Sequence, residues 1–163
     1  RLDRTKTLTL STILALTSGV FCFADHPTAN TNATVTVAFV FPDGTTKTTS
    51  LTHDSAGAVL SKKPLAKGVS ASAYKIDFWV YAALQTLDLP FEAKTVGQTG
   101  YWKTIIEKIG DLSNGPDGEW VYYVNSIRSP YHISTQTDDG VKAIKFVYKP
   151  KPNKITGANH GQR

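Results

Sequence analysis

Few side chains in this chain have the types and spacing that catalysis or metal binding requires. The four histidines are His26, His53, His132 and His160. No pair has a spacing such as HExxH, which places two imidazoles on one metal ion. His53, Asp54 and Ser55 include the residue types of a catalytic triad, but sequence neighbours do not form a triad in space. The sequence therefore predicts no catalytic residues, no metal site and no enzyme, and a hydrolase would need these groups to cluster after folding.

Two further patterns are also poor matches to known site chemistry. Asp138-Asp139-Gly140 lacks the additional oxygen ligands of a calcium loop, so a solvated turn is the better interpretation. The glycines are spread among turns and form no phosphate-binding loop. The one cysteine, Cys22, lies in a segment that we expect to be removed, so disulfides and thiolate ligands are not expected.

The aromatic segment GEWVYYVNS, residues 118–126, is the richest part of the sequence. Alternation along a strand places Trp120 and Tyr122 on one face, where rings of this size most often fill a core. Tyr123 and Asn125 fall on the other face. Those two are candidates for an exposed binding platform, and Asn125 also suits closure of a turn through side-chain to backbone hydrogen bonds.

A second aromatic pair, Tyr101-Trp102, stands between Gly100 and Lys103 at the expected start of a strand. Two adjacent residues of a strand point to opposite faces, so both rings cannot enter one core. We therefore expect one ring to be partly exposed, which suggests a binding surface. The candidate ligand-binding residues are Tyr101, Trp102, Tyr123 and Asn125.

The N-terminal segment has the features of an export signal. Arg1, Arg4 and Lys6 precede an apolar run from Leu8 to Phe23, and small residues suit cleavage after Ala24. Residues 1–24 are therefore predicted to be a signal peptide and residues 25–33 a polar linker. A buried N-terminal helix is the alternative. We expect a secreted, periplasmic or extracellular protein, with no transmembrane segment after the signal is removed.

The formal net charge of +5 comes from the two ends of the chain. Residues 25–148 carry eleven basic and twelve acidic side chains, a net charge of −1. A nucleic-acid-binding domain carries its positive charge on the folded surface, so nucleic acid is not an expected partner. Residues 150–163 are predicted to be a flexible basic tail, which could alternatively touch an anionic surface.

The remaining patterns predict one domain over residues 34–149. A hairpin is predicted from the alternating segment TVTVAFVF, the turn PDGT and a threonine-rich strand. Asp54 could cap a short helix that runs to Lys62, and a main helix is predicted over residues 74–87 with Ser72 as its cap. Strands follow at FEAKTV, WVYYVNSI and VKAIKFVYK, while TIIEKI suits either a helical turn or a strand. This order predicts an α+β fold, a β-grasp (ubiquitin-like) mixed sheet packed on one main helix.

The segment from about Phe91 to Lys149 resembles the C-terminal domain of transcobalamin and intrinsic factor, and a related family of small secreted bacterial domains of unknown function. The resemblance depends on TGYWKTIIEKIG and on WVYYVNS. Ser126 stands where that family usually has glycine, which disfavours a positive φ there and leaves open whether the loop is altered. Transcobalamins hold their ligand between this domain and a large helical domain, and no such helical domain occurs in this sequence.

The resemblance implies a β-grasp fold and a non-enzymatic module that binds cobalamin or another flat ligand. Cobalamin would then be a ligand and not a catalytic cofactor. The alternative is an envelope or extracellular interaction domain, in which the edge of the sheet pairs with a strand of a protein partner. The sequence indicates neither the identity of the ligand nor the oligomeric state.

Overall fold

The computed structural model describes residues 33–98 and 101–152, so the predicted signal peptide, most of the linker and most of the basic tail lie outside the described residues. The elements are β1 (Thr34–Val40), β2 (Thr46–Thr52), α1 (His53–Lys62), α2 (Ile76–Thr86), β3 (Phe91–Gln98), β4 (Tyr101–Ile109), β5 (Leu112–Ser113), β6 (Gly118–Val124), β7 (Ile127–Arg128) and β8 (Ala143–Pro150).

The larger sheet has five strands in the order β2-β1-β8-β6-β7. The central strands β1 and β8 run parallel, whereas β1–β2, β6–β8 and β6–β7 are antiparallel. Alternate residues of β1, β8 and β6 enter the core, as the sequence pattern predicts. These inward residues are Val35, Val37, Phe39, Ile144, Phe146, Tyr148, Trp120 and Tyr122.

Helix α2 is buried all round, which the sequence did not predict. Every residue from Ile76 to Gln85 is buried, including those outside the expected apolar stripe. The reason is that other elements cover the side not facing the sheet: the Phe78 ring stacks on His53 of α1, and the Tyr81 ring stacks on Phe91 of β3.

The expected helix caps were wrong. Helix α1 is capped by Thr52 and not by Asp54: the Thr52 hydroxyl accepts from Ser55 N–H at 3.2 Å, and the Ser55 hydroxyl accepts from Thr52 N–H at 2.9 Å. This reciprocal pair is a capping box. Helix α2 begins after Lys75, which makes no side-chain cap, so Ser72 is not the cap residue. A loop carbonyl, Ile133 O, accepts from Asp77 N–H instead.

The smaller sheet has the order β3-β4-β5, and most of it is the long hairpin of β3 and β4. The segment TIIEKI, which the pattern left open between helix and strand, lies within β4. Ion pairs Lys94–Glu107 and Lys108–Glu92 join the two strands across the hairpin. A bulge beside Glu92 shifts the register, and β5 extends pairing only at the base of the hairpin.

The fold is therefore a mixed α and β architecture, as expected at the level of class. The expectation of one main helix with one sheet was too simple, because the described residues contain two helices and two sheets. None of the helices in the described segments has the length and apolarity required to span a membrane.

Candidate functional site

Two strand edges border one groove at the junction of the two sheets. We call it the inter-strand groove; it has a volume of about 270 Å³. Residues of β4 form one side of the groove and residues of β6 form the other. The loop after β7 lies at one end. The lining residues are Thr104, Ile105, Ile106, Asn114, Glu119, Trp120, Val121, Tyr122, Arg128, Ser129, Tyr131, His132, Ile133 and Phe146.

The side chain of Asn114 bridges the two strands. Its Nδ2 donates to Ile106 O of β4 at 2.8 Å, and its Oδ1 accepts from Trp120 N–H of β6 at 2.6 Å. One primary amide thus bonds both strands as a peptide group of an intervening strand would. Asn114 reaches this position because the turn after β5 is held by its own N–H, which donates to Glu107 O at 2.8 Å.

Some of the backbone groups next to Asn114 along these two strand edges have partners in the loop after β7, and others face the groove. Thr104 N–H donates to Ser134 Oγ at 2.8 Å, and Tyr122 O accepts from Ser129 N–H at 3.0 Å. The N–H and C=O of one strand residue point to the same edge, so the C=O of Thr104 and Trp120 and the N–H of Ile106 and Tyr122 also face away from β3 and β8. The hydrogen bonds that turns, loops and side chains make among the described residues use none of these four groups.

A hydroxyl network holds the wall of the groove beside β7. The Tyr122 hydroxyl lies 2.8 Å from Tyr131 O and accepts from Ser129 Oγ at 2.9 Å, while Ser129 Oγ also lies 2.6 Å from Gln136 Oε1. Burial raises the pKa of Tyr122, so this phenol stays neutral and serves as a fixed hydrogen-bonding group. The wall is therefore positioned by several bonds and not by packing alone.

Arg128 and Glu119 are the charged residues that line the groove, and Lys103 lies near the end formed by the loop after β7. Arg128 is exposed, and Lys103 of β4 acts on His132 in that loop. Burial, followed by the charge of Lys103, lowers the pKa of His132, so this imidazole is neutral at pH 7 and leaves Arg128 and Lys103 as the cations. Glu119 is the single carboxylate among the residues that line the groove.

The predicted platform residue Tyr123 lies on the opposite face of β6 from Trp120, as the alternation predicted. Lys145 Nζ and Lys149 Nζ lie 5.6 and 5.7 Å from the centre of its ring. Interaction with Lys149 lowers the pKa of the Tyr123 hydroxyl, with smaller contributions from Arg128 and Lys145. The ring is thus flanked by cations, and a flat ligand would have to displace them in order to stack on it.

Asn125 closes the β6–β7 turn, as expected, and fixes the loop before β8. Its Nδ2 donates to Gly140 O at 2.9 Å, and its Oδ1 accepts from the N–H groups of Lys142 and Ala143 at 2.8 and 3.1 Å. Two backbone donors thus occupy the Oδ1 acceptor, and one of the two N–H groups of Nδ2 takes no part in these bonds. A ligand-binding role for Asn125 stays a prediction.

The turn itself places two residues with side chains at positive φ. Asn125 has φ 47° and Ser126 has φ 72°, the sign pattern of a type I′ hairpin turn, which favours Asn-Gly. We expect Ser126→Gly to increase the free energy of unfolding by roughly 0.5–1 kcal/mol, because glycine adopts this backbone without strain. Urea denaturation measures the change. Ser113→Gly, in a strand with ordinary φ, is the control and should destabilise; a loss of stability in Ser126→Gly would contradict the turn geometry.

The other predicted pair lies elsewhere in the fold. The backbone of Tyr101 and Trp102 begins β4 and pairs with Gln98 and Gly97 of β3, whereas the side chains of both aromatics lie outside what the structure describes. Tyr101 and Trp102 therefore belong to the smaller sheet, whereas Tyr123 belongs to the larger sheet and Asn125 lies in its β6–β7 turn. Their joint action on one ligand stays a prediction.

His53 of the triad-like pattern and Asp138 of the calcium-like pattern have structural surroundings. The His53 ring stacks on Phe78 at 4.8 Å between centroids, and its Nε2 lies 3.2 Å from Ala73 O. Asp138 Oδ2 accepts from Trp79 Nε1 at 2.9 Å. Over residues 33–98 and 101–152 no group of three or more His, Cys, Asp or Glu side chains is placed to hold a metal ion.

Sequence reasoning missed the groove because its key residue carries no local signal. Asn114 stands in DLSNGPDGE, a cluster that reads as a turn, and nothing in that cluster shows that its amide reaches two strands. Arg128 is one isolated charge after the aromatic strand. Only the approach of β6 to β4, which are distant in sequence, gives either residue a role.

Comparisons with known proteins give no family for the chain: no family model and no curated protein matches it. A solved structure from Ruminococcus gnavus, described as a "putative metal binding protein", is similar over 74% of this chain and 99% of that chain. The two chains are 12% identical, with a TM-score of 0.42. A similarity of this size carries no argument about function.

Proposed function

We propose that this protein is an exported, non-catalytic binding module whose inter-strand groove takes an extended, acidic segment of a partner protein. The observation that carries the proposal is the Asn114 side-chain amide, which bonds Trp120 N–H and Ile106 O as a strand between them would. The adjacent open backbone groups would then pair with the partner's main chain, which is the mode of β-strand addition.

We further propose that the larger sheet and α2 form a β-grasp core. The support is the strand order β2-β1-β8-β6-β7 with the first and last strands parallel at its centre, together with α2 between the hairpin and the later strands. On this proposal the β3–β4 hairpin is an addition to the core, inserted directly after the main helix. The addition supplies the second side of the inter-strand groove, so the binding site is the junction between core and insertion.

The charge of the groove suggests which segment it holds. Arg128 is exposed on one wall, so a glutamate or aspartate of the partner would find a cation there. The volume of about 270 Å³ suits two or three extended residues and is small for a corrinoid. Main-chain bonds would supply affinity, and Arg128 would supply the preference for acid.

The test is the binding of a labelled seven-residue peptide of alternating valine and glutamate, compared with the same peptide in which lysine replaces glutamate. Fluorescence polarisation should show tighter binding of the acidic peptide, and Arg128→Glu should weaken it at least about tenfold, a change of about 1.4 kcal/mol. Lys47→Glu is the matched control, since Lys47 is an exposed cation on β2, the opposite edge of the sheet; its effect should be small.

Two results would overturn this assignment. If Lys47→Glu weakened the peptide and Arg128→Glu did not, the partner strand would add to the free edge of β2. If the protein ignored both peptides while cobalamin changed its tryptophan fluorescence, the flat-ligand function implied by the transcobalamin resemblance would be favoured instead.

A further inference from the structure

A second cavity lies at the start of α2 and shares Thr104 with the inter-strand groove. We call it the Asp77 cavity; its volume is about 370 Å³. Apart from one carboxylate, its lining consists of small and hydroxyl-bearing residues from four segments of the chain. The lining residues are Gly68, Ser70, Ala71, Ser72, Asp77, Thr95, Thr104 and Ser134.

The carboxylate of Asp77 is buried without a partner of opposite charge. The residue is 2% exposed, and its Oδ1 accepts from Ser72 N–H at 3.2 Å. The backbone N–H of Phe78 also acts on the carboxylate, more weakly than burial does, and neither carboxylate oxygen joins an ion pair among the described residues. The nearest acting cation is Lys75, whose Nζ lies 3.4 Å from Thr135 O. A buried carboxylate in this position needs a cation or a proton.

Tyr81 lies beside the carboxylate but outside the cavity wall. It follows Asp77 by one helical turn on the same face, and its side chain is fully buried. Burial and then the charge of Asp77 raise the pKa of Tyr81, while the Thr104 side chain acts in the opposite direction. Tyr81 is not among the residues that line the cavity, so Asp77 is the charged group that the cavity presents.

The hydroxyls around the cavity also have free capacity. Thr95 Oγ1 donates its proton to Gly68 O at 2.6 Å, so its lone pairs stay available. Ser134 Oγ accepts from Thr104 N–H at 2.8 Å, which leaves its own proton free to donate. The Asp77 carboxylate and Thr95 Oγ1 can thus accept from an ammonium group, and Ser134 Oγ can donate to a ligand hydroxyl.

We propose that the Asp77 cavity binds the primary ammonium group of a small hydroxylated molecule. The ammonium group neutralises Asp77, and the serine and threonine side chains bond the hydroxyl groups of the ligand. A divalent metal ion fits less well, because such ions usually take more than one carboxylate and Asp77 is the only one in the lining. The cavity is also larger than a bare ion needs.

Ethanolamine is the probe, and its neutral isostere ethylene glycol is the control. Titration at pH 7.5, followed by NMR and by thermal unfolding, should show saturable ethanolamine binding with a Kd on the order of 1 mM, reasonable for four heavy atoms. Ethylene glycol and tetramethylammonium should not bind, since one lacks the charge and the other lacks N–H donors. Below about pH 6, where Asp77 becomes protonated, the affinity for ethanolamine should fall about tenfold for each unit by which the pH is lowered.

Two variants locate the binding. Asp77→Asn should abolish it, and Thr95→Val should weaken it at least about threefold, because it removes a hydroxyl that lines the cavity. Asp111→Asn, an exposed acid outside the cavity, is the matched control. The proposal is overturned if 100 mM ethanolamine, roughly 100 times the expected Kd, has no effect on the unsubstituted protein. It is also overturned if sodium or potassium ions give the same Asp77-dependent response.

Discussion

Asp77→Asn is expected to stabilise the protein at pH 8 by about 3 kcal/mol, while leaving its stability at pH 4 nearly unchanged. Burial raises the pKa of Asp77 from its ordinary value of 3.8 to about 6, opposed more weakly by the N–H groups of Ser72 and Phe78 and by Lys75. About two pKa units at about 1.4 kcal/mol each give the expected difference. Asparagine keeps the acceptor for Ser72 N–H and removes the buried charge.

The pH dependence has a definite sign. Between pH 4 and pH 6 the folded protein binds a proton at Asp77 that the unfolded chain has released, so this residue's contribution to stability falls as pH rises. Among the described residues, Lys75 is the charged group that acts on Asp77, and Tyr81 is a titratable neighbour on α2. Apart from Asp77, the residues that line the cavity have no titratable side chain. The advantage of Asp77→Asn should therefore grow through this window and reach a plateau above about pH 7.

Urea denaturation of both proteins from pH 4 to pH 8 measures the difference directly. Asp111→Asn should show a change of less than about 0.5 kcal/mol across the range, because its side chain is exposed. A loss of stability in Asp77→Asn at pH 8 would mean that the carboxylate is stabilised in its charged form, and the ammonium proposal would lose its energetic basis.

Trp120→Ala should cost about 3–5 kcal/mol of unfolding free energy, a large part of the roughly 5–15 kcal/mol that stabilises a domain of this size. Trp120 is 8% exposed, and its ring meets Phe41 and Tyr148 edge-on, with centroids at 5.5 and 5.3 Å. Its Nε1 donates to Leu112 O at 2.9 Å. The substitution removes the packing and also leaves that carbonyl without its donor.

Tyr123→Ala is the matched control, because Tyr123 is the next aromatic but one on β6 and lies on the other face. Its loss should cost less than about 1 kcal/mol. Equilibrium unfolding in urea, read by far-UV circular dichroism, does not depend on the tryptophan signal that the substitution removes. Equal costs for the two substitutions would contradict the assignment of inward and outward faces.

The features that depend on local periodicity could be predicted from the sequence. Alternation in TVTVAFVF and WVYYVNSI placed Val37, Phe39, Trp120 and Tyr122 in the core correctly. The spacing of Ile76, Val80 and Leu84 predicted a helix that the structure confirms, although Phe78, Trp79 and Tyr81 are residues that favour strands. In that segment the cover provided by α1 and β3 outweighed intrinsic propensity.

The features that depend on distant contacts could not be predicted. Asn114 and Ser134 look like ordinary turn residues, and they act on β4 only because the loops that carry them fold back onto its edge. Asp77 gave one usable sign, since a single acid inside the apolar run IDFWVYAAL indicates a buried charge. The hydroxyls that surround it come from segments that no periodicity connects.

The most direct test of the groove is amide hydrogen exchange at Tyr122 and Ile106. In the free protein both N–H groups should exchange faster than those of Val121 and Ile105, their neighbours on the paired sides of the same strands. Saturation with the acidic valine–glutamate peptide should then protect both. Strong protection of Tyr122 and Ile106 before any peptide is added would show that these edges are already closed, and would contradict the proposed function.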